Sequence, residues 1–227
     1  MIIGGLQKTT LIDYPGKIAC IVFTAGCNMN CHYCYNPELR DFSPKIDEED
    51  FFNFLDSRVG QLDAVTVTGG EPTVQRDLFE FIQKIKSKGF LVKLDTQGTN
   101  PDMVKKLIEA KLVDYIAMDI KAPLERYREV ANCFVDEMAI KKTIALIMSR
   151  ALDYEFRTTI VRGQLGIEDM KKIGELIKGA KRHYSQKFMT TDNLNDKSYA
   201  DLIGPYEMEM NEIQTMMLSY VNQAFIR

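Results

Sequence analysis

The chain has 227 residues, 45% hydrophobic and 27% charged, with a net charge of −3. That composition describes a folded globule with room for one hydrophobic core, and it excludes intrinsic disorder. The acidic balance argues against a nucleic-acid partner, and no run of about 18 apolar residues suggests a membrane span.

The opening MIIGGLQKTT lacks the basic-then-apolar pattern of a signal peptide, so a reducing, cytoplasmic setting is expected. Residues 1–17 read as an N-terminal segment. Ile18 to Thr24 is apolar and β-branched, a buried strand. Asp47 to Val59 is a helix, with Asp47 as N-cap and Phe51, Phe54 and Leu55 on one face. Ala64 to Thr68 is a strand stopped by Gly69-Gly70. Asp77 to Lys88 is a helix closed by Gly89. Phe90 to Asp95 is a strand, Pro101 to Ala110 a helix and Tyr115 to Ile120 a strand. Asp136 to Arg150 is a helix, Tyr154 to Val161 a strand and Ile167 to Arg182 a helix. A weak sixth strand falls at Lys187 to Met189, and Pro205 to Phe225 reads as one long helix.

Strand–helix alternation without an internal linker predicts one α/β domain over residues 1–227, closed by a C-terminal helix within 205–227. Six such units are too few for a closed eight-unit barrel, so an open, partial (β/α)6 barrel is expected, with a doubly wound sheet as the alternative. In either, chemistry gathers at the C-terminal ends of the strands.

Three of the five cysteines lie in one loop after the first apolar strand: Cys27, Cys31 and Cys34, spaced C-x3-C-x2-C. In a reducing setting such a cluster points to a metal or to catalysis. Soft thiolates select zinc or iron–sulfur clusters. A structural zinc site wants four ligands, whereas a [4Fe–4S] cube held by three leaves one iron open. The next strand ends carry Thr68-Gly69-Gly70-Glu71-Pro72, Asp95-Thr96-Gln97-Gly98, Asp119-Ile120-Lys121 and Arg157 within Phe156–Val161. Taken singly, each also fits an ordinary glycine turn, polar strand end or surface arginine.

Together these segments resemble the radical S-adenosylmethionine (SAM) enzymes. The segment Gly5-Leu6-Gln7-Lys8-Thr9-Thr10-Leu11-Ile12-Asp13-Tyr14-Pro15-Gly16-Lys17 resembles the opening of anaerobic ribonucleoside-triphosphate reductase activating proteins. The resemblance implies a barrel of the radical SAM type and a [4Fe–4S] cluster on Cys27, Cys31 and Cys34. It implies SAM held by Tyr33, Gly69, Gly70, Glu71, Asp95, Asp119 and Arg157, with Glu71 or its neighbouring carbonyls on the amino group. Lys121 lies near the reacting centre, and a monovalent cation sits near Asp95 and Asp119. The implied function is reductive SAM cleavage that places a glycyl radical on a partner reductase, with a flavodoxin- or ferredoxin-type electron donor. Tyr35 stands where this family usually has His, and residues 187–195 drift from its pattern. A radical SAM enzyme acting on a small molecule, such as a deazapurine precursor, is the alternative. A zinc- or cluster-binding module without catalysis is a third reading.

The remaining features read as structural. His183 is expected on a solvated helix end, Cys20 in the core and Cys133 in a distant loop. Met210, Ile213, Met217 and Tyr220 form a core-facing stripe.

Overall fold

A computed structural model describes the chain from Met1 to Arg227 apart from residues 192 and 203. Eight strands form one sheet in which chain order is also spatial order. They are β1 (Ile3–Thr10), β2 (Ala19–Thr24), β3 (Ala64–Gly69), β4 (Leu91–Thr96), β5 (Tyr115–Asp119), β6 (Tyr154–Ile160), β7 (Arg182–Lys187) and β8 (Gln223–Ile226). The helices are α1 (Glu48–Asp56), α2 (Leu78–Ser87), α3 (Pro101–Glu109), α4 (Tyr127–Ala131), α5 (Glu137–Arg150), α6 (Ile167–Leu176) and α7 (Glu207–Met217). Strands β2 to β8 run parallel, and β1 pairs antiparallel with β2. The expected six-unit partial barrel is thus present as β2 to β7, with one more strand at each edge.

Local chemistry sets the helix starts. Asn100 caps α3 by accepting from the Met103 amide, Pro101 follows in the first turn, and Asp136 caps α5 through the Met138 amide. Asp47 occupies the N-cap of α1 but makes no side-chain cap bond, so the three acids of the first turn carry the favourable charge there.

Strand alternation divides the interior in two. One face of the sheet packs on the helices through residues such as Val65, Val92, Leu94, Phe156, Phe81 and Ile85. On the barrel side, Tyr14, Ala19, Ala64, Tyr115 and Ala117 make a small apolar plug. Above the plug the barrel side turns polar, with Lys93, Asp95, Asp119, Glu155 and Arg157. Glu155 is fully buried and accepts from Tyr115 Oη at 2.7 Å and Arg227 Nη1 at 3.1 Å.

Several expectations change. Residues 3–10, to which the sequence assigns no element, are a strand; Gly4 lets it pass Leu39, whose Cδ2 lies 2.5 Å from where a Cβ would stand. Helix α6 stops at Leu176, and Gly179, at φ +85°, turns the chain into β7. The sixth strand is therefore Arg182–Lys187 rather than Lys187–Met189. Its sequence, RHYSQK, places polar His183 and Ser185 at buried positions, so no apolar alternation announces it. Finally, the long terminal helix is α7, a turn, and then β8. Met210, Ile213 and Met217 are buried as expected.

His183 is buried on β7, not solvated on a helix, with Nε2 3.1 Å from Thr158 Oγ1. Burial pushes its pKa from 6.5 down to about 3. Between those values the unfolded chain binds a proton that the folded chain refuses, so this contribution is whole above pH 6.5 and fades as pH falls toward 3. Urea unfolding midpoints should accordingly drop from pH 6.5 to pH 5.5, a window above the ordinary carboxylate range, and His183→Gln should flatten that slope.

Candidate active site

A cavity of about 570 Å³ lies at the C-terminal ends of the strands, and its lining includes every expected site residue. Cys27, Cys31, Cys34 and Tyr33 come from the loop after β2, and Gly69, Gly70 and Glu71 from the end of β3. Asp95 comes from β4, Asp119 and Lys121 from the end of β5, and Arg157 from β6. Thr159, Gln186, Met189 and Arg227 add to the lining. Helix α7 packs outside the barrel, against α6, β7 and β8, and does not plug the mouth.

The cysteine loop is held from several sides. The Gly26 amide donates to the Leu39 carbonyl at 2.7 Å and the Cys27 amide to that of Arg40 at 3.2 Å. The Asn30 amide reaches the Ala131 carbonyl at 3.0 Å. Asn195 Nδ2 donates to the Cys31 carbonyl and to Asn30 Oδ1, each at 3.0 Å, and the Asp196 amide donates to the His32 carbonyl at 3.0 Å. Cys133 is not distant from this loop: its Sγ lies 3.6 Å from the Asn28 carbonyl oxygen.

The glycine turn after β3 interlocks with the same loop. Gly70 donates to the Thr24 carbonyl at 2.9 Å, and the Glu71 amide to that of Gly26 at 2.8 Å. A Cβ on Gly69, at φ +121°, would stand 2.3 Å from Thr24 backbone atoms, and one on Gly70 would stand 2.2 Å from the Gly26 carbonyl oxygen. Only glycine lets the two segments approach this closely.

Glu71 is almost completely buried. Its Oε1 accepts from Thr96 Oγ1 at 2.7 Å and from both the amide and hydroxyl of Thr73; its Oε2 accepts from the Gln97 amide at 2.8 Å. Oε1 is saturated, while Oε2 keeps capacity for one more donor. Burial raises the Glu71 pKa, and the surrounding donors oppose that rise.

The barrel floor is a chain of alternating charges. Lys93 pairs with Asp95 Oδ1, Arg157 Nη1 lies 3.1 Å from Asp95 Oδ2 and Arg157 Nε 2.8 Å from Asp119 Oδ1, and Lys121 Nζ lies 3.0 Å from Asp119 Oδ2. Parallel register sets Asp119 directly beside Arg157. Burial works against ionisation of Asp119, but Arg157 and Lys121 outweigh it and hold its carboxyl well below the usual range. Lys121 is likewise held well above the ordinary lysine value, because Asp119 outweighs the cost of burial. It is a fixed cation here rather than a base. Each of the four carboxylate oxygens of Asp95 and Asp119 faces an ammonium or guanidinium.

The donor set fits an iron–sulfur centre with SAM. Three thiols line one wall, and burial pushes Cys27 up to about 12 and Cys31 to about 11, a cost that iron ligation removes. Among the described residues, no three His, Cys, Asp or Glu side chains are grouped to hold a single metal ion, and a cube spreads its thiolates more widely than one ion does. Tyr33 Oη is buried without a hydrogen-bond partner among the described residues, so a cavity occupant can use it.

Sequence reasoning missed Asn195 and Asp196, because a loop amide that holds another loop carries no local signal. Lys93 was readable: a lysine within the apolar strand FLVKLD shares a face with Asp95. The two departures in the family pattern also meet. Tyr35 Oη accepts from the Met189 amide at 3.0 Å, and its ring stacks on Phe188 at 5.9 Å. Residue 192 of the drifting segment lies outside the described residues.

Gly70→Ala should lower stability by about 1–3 kcal/mol, because backbone must shift to admit the methyl group. Urea unfolding measures that loss, and iron retained after anaerobic reconstitution should fall with it as the cysteine loop is displaced.

Known proteins bear on this geometry. The profile described as Radical SAM superfamily matches residues 21–178. A Methanocaldococcus jannaschii protein bearing the name of a glycyl-radical enzyme activating enzyme is 34% identical over 232 residues, which cover 100% of this chain and 95% of the relative. A Listeria monocytogenes pyruvate formate-lyase-activating enzyme is 34% identical over 125 residues, 48% of this chain and 49% of that one. Among solved structures, a domain of pyruvate-formate lyase-activating enzyme from Bacteroides vulgatus superposes with a TM-score of 0.57 at 16% identity, covering 72% of this chain and 98% of that chain. With a match of that extent, and with the thiols and strand-end charges it spans gathered around one cavity, the chain belongs to the Radical SAM superfamily.

Proposed function

We propose that this chain is a glycyl-radical enzyme activating enzyme and that its partner is an anaerobic ribonucleoside-triphosphate reductase. The observation that carries the reading is the similarity along the whole chain to a relative named for glycyl-radical activation. An open cavity at the strand ends supports it, because a partner's glycine must enter on a loop. The GLQKTTLIDYPGK segment supports the choice of a reductase. The electron donor is of flavodoxin or ferredoxin type.

In this reading Cys27, Cys31 and Cys34 hold three corners of a [4Fe–4S] cluster. When bound, the cluster and SAM would supply one-electron radical chemistry directed at the partner's glycine. The chain's own residues do the positioning. The backbone at Gly69 and Gly70, with Glu71 Oε2, receives the SAM amino group. Arg157 presents its charge to the carboxylate. Tyr33 Oη offers a hydrogen bond, and Lys121 stays charged and orders Asp119.

Cys27→Ala, Cys31→Ala and Cys34→Ala should each lose reconstituted iron and SAM cleavage, while Cys20→Ala and Cys133→Ala keep both. Full cleavage by Cys31→Ala would sink the cluster assignment. Glu71→Gln should keep iron and weaken SAM binding about 10- to 150-fold, the equivalent of losing a charge-assisted contact of roughly 1.5–3 kcal/mol.

The function itself is tested by anaerobic incubation of the reconstituted chain with reductant, SAM and a candidate reductase. A glycyl-radical doublet on the reductase in electron paramagnetic resonance is the expected result. Repeated turnover of a deazapurine precursor, with no radical on any reductase, overturns the reading in favour of a small-molecule enzyme.

A further inference from the structure

Lys93 is the one member of the floor's charge chain that does not line the cavity. Its side chain is only 2% exposed, and its ammonium meets Asp95 Oδ1 from behind the cavity wall. Arg157 and Lys121 take the other three carboxylate oxygens of the pair. Two carboxylates facing each other across one guanidinium would otherwise leave Asp95 Oδ1 buried with no cation and no donor. That is a costly arrangement, and a small monovalent cation with oxygen ligands can relieve it.

We propose that Lys93 is a built-in counter-ion: its ammonium occupies the place at Asp95 that an alkali-metal ion would otherwise fill. Two consequences follow from the geometry. The native protein is indifferent to which monovalent cation is in solution. Removing the ammonium while keeping Asp95, Asp119 and Arg157 opens a monovalent-cation site. Lys93 acts through Asp95, so it is a positioning residue. The charge chain stands without any cofactor, so the inference can fail while the proposed function holds, and the reverse is equally true.

The test uses the full-length chain, without iron and after reconstitution. Thermal unfolding is measured in potassium, sodium and tetramethylammonium chloride at one ionic strength, and thallium(I) binding is followed by 205Tl nuclear magnetic resonance in nitrate salts. The native chain should show the same midpoint in all three chlorides and no saturable thallium binding. Lys93→Met and the milder Lys93→Gln should both bind thallium saturably, at least about tenfold more tightly than the native chain, and gain stability in potassium over tetramethylammonium. Lys93→Arg keeps the charge and should stay indifferent. A purely structural lysine predicts destabilised variants with no cation selectivity. Saturable thallium binding by the native chain overturns the proposal, as does a folded Lys93→Met or Lys93→Gln that acquires none. If neither variant folds in tetramethylammonium, recovery on refolding in potassium supports the proposal, and equal failure in both salts overturns it.

Discussion

One guanidinium serves two carboxylates in this protein, and the barrel interior depends on it. Arg157 bridges Asp95 and Asp119, which lie on strands β4 and β5. A charge buried in a poorly polarisable interior needs a partner, and a lone member of such a set is strongly destabilising. Lys93 and Lys121 close the two ends, so five charges leave the floor with an excess of one positive charge. Lys93 lies outside the cavity lining, and the four members that line it, Asp95, Asp119, Lys121 and Arg157, balance one another. The field is fixed by folding and needs no rearrangement when the occupant arrives.

Above that floor, the mouth is shaped by backbone rather than by side chains. Gly69 and Gly70 let the loops after β2 and β3 come within direct hydrogen-bonding range. The cysteine loop is then tied to the Leu39–Arg40 turn, to the end of α4 and to Asn195 and Asp196. Thiols mounted on a loop held from so many sides are presented to one cavity before any iron binds. Such support of ligands by a second layer of contacts is what makes a metal-binding loop specific.

Tyr35 and the segment at Phe188, Met189 and Asn193, where the sequence departs from the pattern it resembles, touch each other. Tyr35 receives the Met189 amide, stacks on Phe188 and takes a bond from Asn193 Nδ2 to its carbonyl at 3.4 Å. A tyrosine at this position is long enough to reach the segment, and the segment supplies an amide to meet it. The altered lip lies beside the thiols, with Tyr35 and Met189 both lining the cavity.

The alternation of apolar strands and amphipathic helices was legible from β2 to β6, because those strands are buried and their residues alternate or run apolar. The site was legible as well, since parallel βαβ units deliver the strand ends to one rim. Cys27, Glu71, Asp95, Asp119 and Arg157 meet there although they span most of the chain. What the sequence could not show was wherever polar residues are buried by distant partners. Strand β7 escaped notice because His183 and Ser185 occupy core positions that only the packing of β6 and the outer helices makes dry. Strands β1 and β8 join at sheet edges, where pairing replaces periodicity as the signal. The sequence by itself determined the cysteine loop, the glycine turn and the charged strand ends, because local spacing and strand period are intrinsic to the chain. Only the tertiary structure decided that Lys93 saturates Asp95, that Glu71 spends most of its acceptors internally and that Asn195 holds the cysteine loop. Each of those is a pairing across the fold, and the energy of a buried charge or amide depends on which partner folding brings to it.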